Sequence, residues 1–271
     1  MRSDIFDLSN RVAFITGGAG LLGIQHALAI REAGGIPIIA DLNASAVDRA
    51  VREVGAGASG VVADVTSAES IERAFQSVME RHGRVDILVN NAARNPKVEK
   101  SGDNPPLARF ENLRLEDWNL DIAVGLTGAM LCSRVFGAHM ARHGGGVIVN
   151  IGSEYSLVAP DQTLYRIEGL PEDQQPSKPV TYTVVKHAIV GLTRHLAVYW
   201  ADKGVRVNCL CPGGVEQNQD PEFKQRLTRL IPMGRMAQPD DMRGALIFLC
   251  ADASSFMTGE IIAVNGGRTV W

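Results

Sequence analysis

The sequence predicts an α/β fold in which helices cover both faces of a doubly wound, seven-stranded parallel sheet. Apolar, β-rich runs alternate with helical patterns along the chain, and right-handed crossovers turn that alternation into a parallel sheet. Most runs lack the in/out alternation of a half-buried strand, as expected when both faces are covered. The predicted strands are residues 11–16, 36–41, 60–64, 85–90, 146–152, 205–211 and 260–265.

The helices between these strands show apolar residues at helical spacing. In "SAESIERAFQSVMERHG", for example, Ile71, Phe75 and Val78 fall on one side. We find no internal repeat, low-complexity segment or interdomain linker in the sequence, so residues 1–271 are predicted to form a single domain.

Two stretches interrupt the strand and helix pattern. Residues 93–110 are polar and contain three prolines, and residues 154–180 look irregular. Both follow strand ends, where the ligand crevice of an open parallel sheet lies, so we expect both insertions to wall a substrate pocket. Surface insertions without a function are the alternative.

Composition excludes some classes of partner. The net charge is −3 and the pI is near 6.1, which disfavours nucleic acid and anionic membranes as partners. The N-terminal "MRSDIFDLSN" lacks the apolar run of a signal peptide, and no stretch looks long enough to span a bilayer. A cytoplasmic location is therefore the expectation.

No metal site is predicted. Cys209 and Cys211 form a C-x-C pair on one face of a predicted strand, but no second Cys/His pair is nearby, so buried thiols are favoured. His139 and His143 have metal-pair spacing without the carboxylate of H-E-x-x-H, and solvated histidines at a helix end are favoured.

A glycine-rich turn follows the first predicted strand. In "TGGAGLLG", Gly18, Gly20 and Gly23 satisfy G-x-G-x-x-G between a strand and an amphipathic helix. Glycines there permit close backbone approach, and the helix N-terminus offers N–H groups to a pyrophosphate. This motif and its setting predict a dinucleotide site in a Rossmann-type fold.

Asp41 predicts which dinucleotide binds. It ends the second predicted strand, where an acidic residue binds the ribose hydroxyls. Its carboxylate would repel a 2′-phosphate, and residues 42–44 supply no arginine or lysine to attract one. NAD is therefore the predicted cofactor. A helix N-cap is the alternative role for Asp41.

Seven motifs together make the chain resemble the short-chain dehydrogenase/reductase family over nearly its full length. They are "TGGAGLLG", "ADV" (63–65), "LVNNAA" (88–93), "NIGS" (150–153), Tyr182-x-x-x-Lys186, "CPGGV" (211–215) and "TGEIIAVNGG" (258–267). Their order, each at the expected strand end, is specific, whereas a lone Y-x-x-x-K is common.

The resemblance implies roles for individual residues. Ser153, Tyr182 and Lys186 match the catalytic serine, tyrosine and lysine. The implied cofactor contacts are Gly17, Gly18, Gly20, Leu22 and Gly23 at the diphosphate, Asp41 at the ribose, Asp64 and Val65 at the adenine, Asn91 and Ala92 beside a ribose, Tyr182 and Lys186, and Pro212, Gly213 and Val215 near the nicotinamide carboxamide.

The spacing of Tyr182 and Lys186 has its own physical rationale. Four residues apart on a helix, they project from one face. A tyrosine with a pKa of about 10 is a weak acid, and lowering that pKa by about three units takes roughly 4 kcal/mol of phenolate stabilisation. We expect Lys186 and the positive nicotinamide ring to supply it. Tyr155 and Tyr165 lack a lysine four residues later and are rejected as the base.

Four features depart from the family pattern. Leu21 stands where a glycine is usual, and Ala93 ends the usual N-N-A-G. Gly125 replaces the asparagine that completes a catalytic tetrad, so no fourth catalytic residue is assigned. Ser153 and Tyr182 are unusually far apart, so the residues between them must loop out over the site.

The wide insertion, "VAPDQTLY" and "YWADKGVRVN" are similar to flagellin-modification and nonulosonic-sugar oxidoreductases. This narrower resemblance implies a polar, sugar-like substrate. Four cations of the insertions are candidates for an anionic group, or are solvated loop charges: Arg94, Lys97, Arg166 and Lys178.

The combined expectation is an NAD-dependent oxidoreductase that interconverts a secondary alcohol and a ketone. The apolar segment that ends at His143 and the Tyr182 helix both have more apolar surface than one sheet face can cover. Burial of that surface between subunits predicts a homodimer or homotetramer. A ketoacyl or lipid carbonyl reductase of the same family is one alternative. A cofactor-binding sensor or scaffold without catalysis is the other.

Overall fold

The computed structural model of the protein describes residues 5–95 and 109–271, so most of the first insertion, including Lys97, lies outside the described residues. In the described part, the strands are β1 (Val12–Thr16), β2 (Ile36–Asp41), β3 (Ser59–Val62), β4 (Ile87–Asn90), β5 (Gly146–Ile151), β6 (Val205–Pro212) and β7 (Ile261–Val264). They form one sheet in the order β3-β2-β1-β4-β5-β6-β7, and every pairing is parallel. The predicted fold class is confirmed.

The central strands are buried on both faces. Every residue of β1 and β4 is buried, which explains why these runs lack alternation in the sequence. One cluster of buried side chains, including Ile15 and Val89, covers one face of the sheet. A second cluster, including Phe14 and Leu88, covers the other, since successive strand residues point to opposite faces.

The helices begin and end where short-range signals predict. Asn43 and Ser67 each accept a backbone N–H and cap the helix that follows, and Gly83 ends one helix in the left-handed conformation. The described helices are α1 (Leu21–Glu32), α2 (Ala44–Val54), α3 (Ala68–His82), α4 (Leu115–Ile122), α5 (Gly128–Cys132), α6 (Ala138–Arg142), α7 (Val180–Tyr199), α8 (Pro221–Thr228) and α9 (Arg243–Cys250).

Helices α4, α5 and α6 are parts of one helical run, Leu115–Arg142, joined by π-helical turns. The run is long and apolar enough to cross a membrane by length and composition, which the sequence analysis did not anticipate. Of its most apolar window, 56% is buried inside the fold, as in the core helix of a globular protein.

The second insertion is held by its own hydrogen bonds. The buried Gln175 side chain accepts from the Ile167 N–H at 2.9 Å and donates to the carbonyls of Ile167 and Leu170 at 2.9 and 2.8 Å. Short 3₁₀ turns at Glu154–Ser156, Gln162–Tyr165 and Glu172–Gln174 shape the rest. That residues 1–271 form a single domain remains a prediction.

The glycine turn packs tightly against the start of α1. A Cβ on Gly23 would lie 2.3 Å from the Gly17 carbonyl oxygen and 2.6 Å from the Gly18 Cα, both of them backbone atoms. Only a residue without a side chain fits there unless the turn moves. The tight strand-to-helix connection therefore depends on Gly23.

We expect Gly23→Ala to lower the free energy of unfolding by about 1–3 kcal/mol because the new methyl group meets backbone that cannot move aside. Gly244→Ala in α9 is the matched control, since a Cβ there meets open space. It should leave stability unchanged or raise it by up to about 1 kcal/mol through helix propensity. Chemical denaturation compares the two, and equal effects would contradict the packing argument.

Candidate active site

A cavity of about 1400 Å³ opens at the carboxyl ends of the strands. Its lining includes Gly17 after β1, Asp41 at the end of β2, Asn91 after β4, Ser153 after β5 and Gly213 after β6. This is where open parallel sheets bind ligands. Described residues of both insertions form part of the wall, among them Asn95 of the first and Tyr165 of the second. That the insertions enclose a substrate pocket remains a prediction.

The glycine turn forms one end of this cavity. Gly17 has a φ of +59°, and a Cβ on it would lie 2.8 Å from the Ala92 Cα. Gly20 precedes α1 as an N-cap residue without a capping side chain, so the first N–H groups of the helix are left for a ligand. Leu22 also lines the cavity. The turn fits a dinucleotide diphosphate.

Asn91 supports this turn, which the sequence analysis did not foresee. Its side-chain amide donates to the carbonyls of Thr16 and Gly17 at 3.0 and 2.9 Å. The backbone N–H groups of Asn91 and Ala92 both donate to the Thr16 hydroxyl, at 3.0 and 3.1 Å. The strand end after β4 therefore holds the turn after β1 in place.

Asp41 lies on the cavity wall beside the turn. One carboxylate oxygen accepts the Ala19 N–H at 3.3 Å, and the other accepts the Asn43 N–H at 3.5 Å. The N-cap of α2 is Asn43 rather than Asp41, so the alternative role for Asp41 is wrong. The adjacent Leu42 is 67% exposed and carries no charge.

Four of the predicted cofactor contacts do not line the cavity within the described residues: Gly18, Gly23, Asp64 and Val65. Asp64 accepts the N–H and hydroxyl of Thr66 at 2.9 and 2.7 Å. Val65 packs against Gly128 of α5, where an added Cβ would lie 2.9 Å away. The remaining predicted contacts, including Pro212, Gly213 and Val215, do line it.

Ser153, Tyr182 and Lys186 converge on the cavity. Ser153 follows β5 and lines the cavity together with Tyr182 of α7. Lys186 is one turn further along α7, and its Nζ donates to the Ile151 carbonyl at 2.7 Å. That ammonium lies 5.7 Å from the centroid of the Tyr182 ring. The insertion therefore brings two distant segments together, as the sequence requires.

The electrostatics of the pair differ from the expectation. Burial raises the pKa of Tyr182 to about 12, and the polar Ser153 side chain only partly opposes this. Burial also lowers the pKa of Lys186 to about 8. The expected lowering of the tyrosine pKa invoked the lysine and the nicotinamide ring together. The lysine alone does not produce it, because desolvating the phenolate costs more.

The predicted C-x-C thiols are buried. The Cys209 and Cys211 sulfurs lie 3.6 Å apart on the face of β6 that packs against α7. Both histidines of the His139 and His143 pair were expected to be exposed. His143 is exposed, whereas His139 is half-buried with its ring centroid 5.2 Å from that of Phe75. The described residues contain no cluster of three or more His, Cys, Asp or Glu side chains suited to a metal ion.

Comparison with known proteins places this site in a family. The sequence model described as short chain dehydrogenase matches residues 11–165, and the model described as Enoyl-(Acyl carrier protein) reductase matches residues 172–269. The chain belongs to the short-chain dehydrogenase/reductase family. Its members are oxidoreductases, so the predicted recognition and enzyme class are confirmed.

Similar family members act on polyols and sugar acids by their names. The chain is 35% identical to galactitol 2-dehydrogenase (L-tagatose-forming) of Cereibacter sphaeroides, over 98% of each chain. It is 34% identical to D-threitol dehydrogenase of Mycolicibacterium smegmatis, over 98% of this chain and 95% of that one. The structure of a gluconate 5-dehydrogenase from Burkholderia cenocepacia with NADP and tartrate has a TM-score of 0.84 at 29% identity, covering 99% of this chain and 98% of that one.

The position of the usual family asparagine has no room for a side chain. A Cβ on Gly125 would lie 2.5 Å from Cγ1 of Val185, which precedes Lys186 on α7. Gly125 sits in a π-helical turn between α4 and α5. The close helix contact therefore accounts for the glycine, and an asparagine would push α7 away.

Two charged side chains, which no family motif marks, line the cavity together with Ser153, Tyr182 and Lys186. Glu154, directly after Ser153, is 4% exposed and lines the cavity. The Lys178 ammonium lies 4.2 Å from the Tyr182 ring centroid, nearer than that of Lys186. The sequence analysis named Lys178 only as one of four loop cations, and it missed Glu154.

The other described loop cations are already paired. Arg94 bridges to the buried Asp121 at 2.8 Å, and Arg166 bridges to Glu172 at 2.8 Å. Arg166 lines the cavity, but its charge is offset by that partner. Only Lys178 among the three lies against the ring of Tyr182.

We expect the stability of the protein to depend on Glu154 in mildly acidic solution. Burial raises the pKa of its carboxyl from 4.5 to about 7, against the opposing charges of Arg268 and Lys178. Between these values the folded protein holds a proton that the unfolded chain releases. The free energy of unfolding therefore falls as pH rises through this window.

Glu154→Gln should remove this pH-dependent fall in the free energy of unfolding, which amounts to about 3 kcal/mol for a pKa shift of this size. Denaturant unfolding of both proteins across the window measures it. The facing phenols of Tyr155, Tyr165 and Tyr182 stay neutral there, since burial raises each of their pKa values. Parallel pH profiles for the two proteins would contradict the expectation.

Proposed function

We propose that the protein is an NAD-dependent dehydrogenase that interconverts a secondary alcohol of a polyol and the corresponding ketone. The observation that carries the proposal is the convergence of Ser153, Tyr182 and Lys186 on one cavity wall, with the Lys186 ammonium 5.7 Å from the centroid of the Tyr182 ring. It lies in the same cavity as the glycine turn. One cavity thus combines a proton carrier with a cradle for a dinucleotide.

A bound nicotinamide supplies hydride transfer to or from the substrate carbon. Tyr182 exchanges the matching proton with the substrate oxygen. The Ser153 hydroxyl donates to the same oxygen and fixes its approach. Lys186 uses one ammonium N–H on Ile151, which leaves donors for the ribose hydroxyls of the cofactor.

NAD is the proposed form of the cofactor. The Asp41 carboxylate stands beside the glycine turn, where it accepts hydrogen bonds from ribose hydroxyls and repels a 2′-phosphate. The three residues that follow it, Leu42, Asn43 and Ala44, carry no positive charge. The similar gluconate 5-dehydrogenase was solved with NADP, so this choice rests on Asp41.

A polyol is the proposed substrate class. Polar side chains share the cavity wall with Ser153 and Tyr182, among them Glu154, Tyr155 and Lys178. The similarity to galactitol and threitol dehydrogenases points the same way. The narrower resemblance to flagellin-modification and nonulosonic-sugar enzymes remains a prediction.

A carbonyl reductase of acyl chains is the second candidate. The C-terminal family model carries the description Enoyl-(Acyl carrier protein) reductase, and Leu164, Ile167 and Phe223 give part of the cavity an apolar lining. The polar groups around Tyr182 disfavour it, because an acyl chain would leave them without partners.

We also propose a homo-oligomer in the cytoplasm. Large apolar side chains on the long helical run and on α7 are exposed, including Leu115 at 67%, Val198 at 82% and Tyr199 at 65%. Symmetric pairing of such helices would bury them. A single domain spanning residues 1–271 fits this proposal.

Tyr182→Phe should lower kcat/KM for polyol oxidation by about 100- to 10,000-fold, because it removes the proton carrier. NADH binding, followed by fluorescence, should persist. Tyr199→Phe is the matched control at the exposed end of the same helix and should retain activity. A wild-type protein that binds NADH but turns over no alcohol or ketone in a panel would instead support the sensor or scaffold.

Asp41→Ala should lower kcat/KM for NAD by about 10- to 100-fold, the value of a hydrogen bond to a charged group. Activity with NADP should fall less or rise, since the repulsion of its phosphate is removed. Steady-state kinetics with both cofactors measures this, with the exposed Asp48→Ala as control. An unchanged NAD-to-NADP ratio would overturn the assignment.

A further inference from the structure

We infer that Glu154 and Lys178 form a hydroxyl-binding subsite next to the reacting carbon, which makes a vicinal diol the preferred substrate. This inference rests on the proposed function and deepens it. Both side chains line the cavity together with Ser153 and Tyr182. The proton transfer proposed above uses neither of them.

Glu154 is a buried carboxyl with an unfilled acceptor. The residue is 4% exposed, and within the part of the chain that the structure describes its Oε2 has no hydrogen-bond partner. A buried acceptor without a partner is costly, and Glu154 lines the cavity, so a ligand hydroxyl that reaches the carboxyl would supply the missing donor.

Lys178 supplies the complementary donors. Its ammonium lies 4.2 Å from the centroid of the Tyr182 ring and donates to the Asn95 side-chain oxygen. An ammonium has three N–H donors, so this contact leaves capacity for a ligand. Glu154 and Lys178 feel each other's charge, yet no ion pair joins them among the described residues. The acceptor and the donor therefore both remain available.

The positions of the two side chains define which substrate hydroxyl they meet. The reacting oxygen belongs at the Ser153 and Tyr182 hydroxyls, Glu154 is the next residue after Ser153, and Lys178 lies on the ring of Tyr182. A second hydroxyl on the neighbouring carbon would reach the space that they flank. Because a hydroxyl both donates and accepts, it satisfies a carboxylate and an ammonium together.

The charges of the subsite favour a neutral polyol over the other candidates. A substrate carboxylate would gain from Lys178 but, above the Glu154 pKa of about 7, would be repelled by the ionised Glu154. An acyl chain or a monohydric alcohol would leave both groups desolvated without a partner. Selectivity of this origin is large, because the unmet groups belong to the protein.

The test compares butane-2,3-diol with butan-2-ol, two probes that differ by one hydroxyl. For the wild-type protein with NAD, we expect kcat/KM to be at least about tenfold higher for the diol. Glu154→Ala and Lys178→Met should each lower kcat/KM for the diol by about 10- to 100-fold and change that for butan-2-ol less than about threefold. Glu154→Gln should retain part of the preference, because its amide oxygen still accepts.

Glu80→Ala, an exposed acid on α3, is the control and should leave both values unchanged. NADH binding and thermal unfolding establish that each variant is folded. Equal loss on both probes, or a wild-type protein that does not distinguish them, would overturn the subsite while leaving the proposed function intact. No wild-type turnover of either probe, threitol or galactitol would instead overturn the proposed function.

Discussion

The hydrogen bond from the Lys186 ammonium to the Ile151 carbonyl, at 2.7 Å, is the contact on which the site depends. Ile151 ends β5, and Lys186 lies within α7, so this bond ties a strand end to a helix across the second insertion. Two residues beyond Ile151 the chain reaches Ser153, and one turn before Lys186 the helix carries Tyr182. The same contact that buries the lysine therefore brings the two hydroxyls together. Lys186 is 5% exposed, and a buried ammonium requires such a partner.

Burial controls the chemistry of this group more strongly than the spacing of charges along the helix. It raises the pKa of Tyr182 to about 12 and lowers those of Lys186 and Lys178 to about 8. Each shift disfavours the charged form, as expected for groups taken out of water. The polar Ser153 side chain opposes the shift at the phenol without reversing it.

Two of the four departures from the family pattern, Gly125 and the long insertion, share one part of the molecule, the packing around α7. The close approach of Gly125 to Val185 excludes the usual asparagine. The long insertion carries Glu154 at its beginning and Lys178 at its end; both line the cavity, and the Lys178 ammonium lies over the Tyr182 ring. The chain keeps the Ser153, Tyr182 and Lys186 pattern while the packing around α7 differs at Gly125.

Much of the fold follows from local sequence patterns. All seven strands were predicted with ends within two residues or so, because fully buried parallel strands are continuous apolar runs bounded by turns. The glycine turn, Asp41 and the order of Ser153, Tyr182 and Lys186 are also legible, since each occupies a fixed place at a strand end or on one helix face. The sequence by itself thus determined the fold class, the cofactor cradle and the three residues proposed for the chemistry.

Only the tertiary structure decided what surrounds those residues. Among the described residues, Asp64 and Val65 do not line the cavity, and the Asn91 side chain supports the glycine turn through hydrogen bonds. Of the described loop cations, Lys178 lies over the Tyr182 ring, and Glu154, which follows Ser153, is buried. Desolvation and side-chain contact depend on which distant segments pack together, and neither quantity is encoded in the spacing of residues along one element. For that reason the direction of the Tyr182 pKa shift and the polar residues that line the cavity with Tyr182 can be determined only from the folded structure.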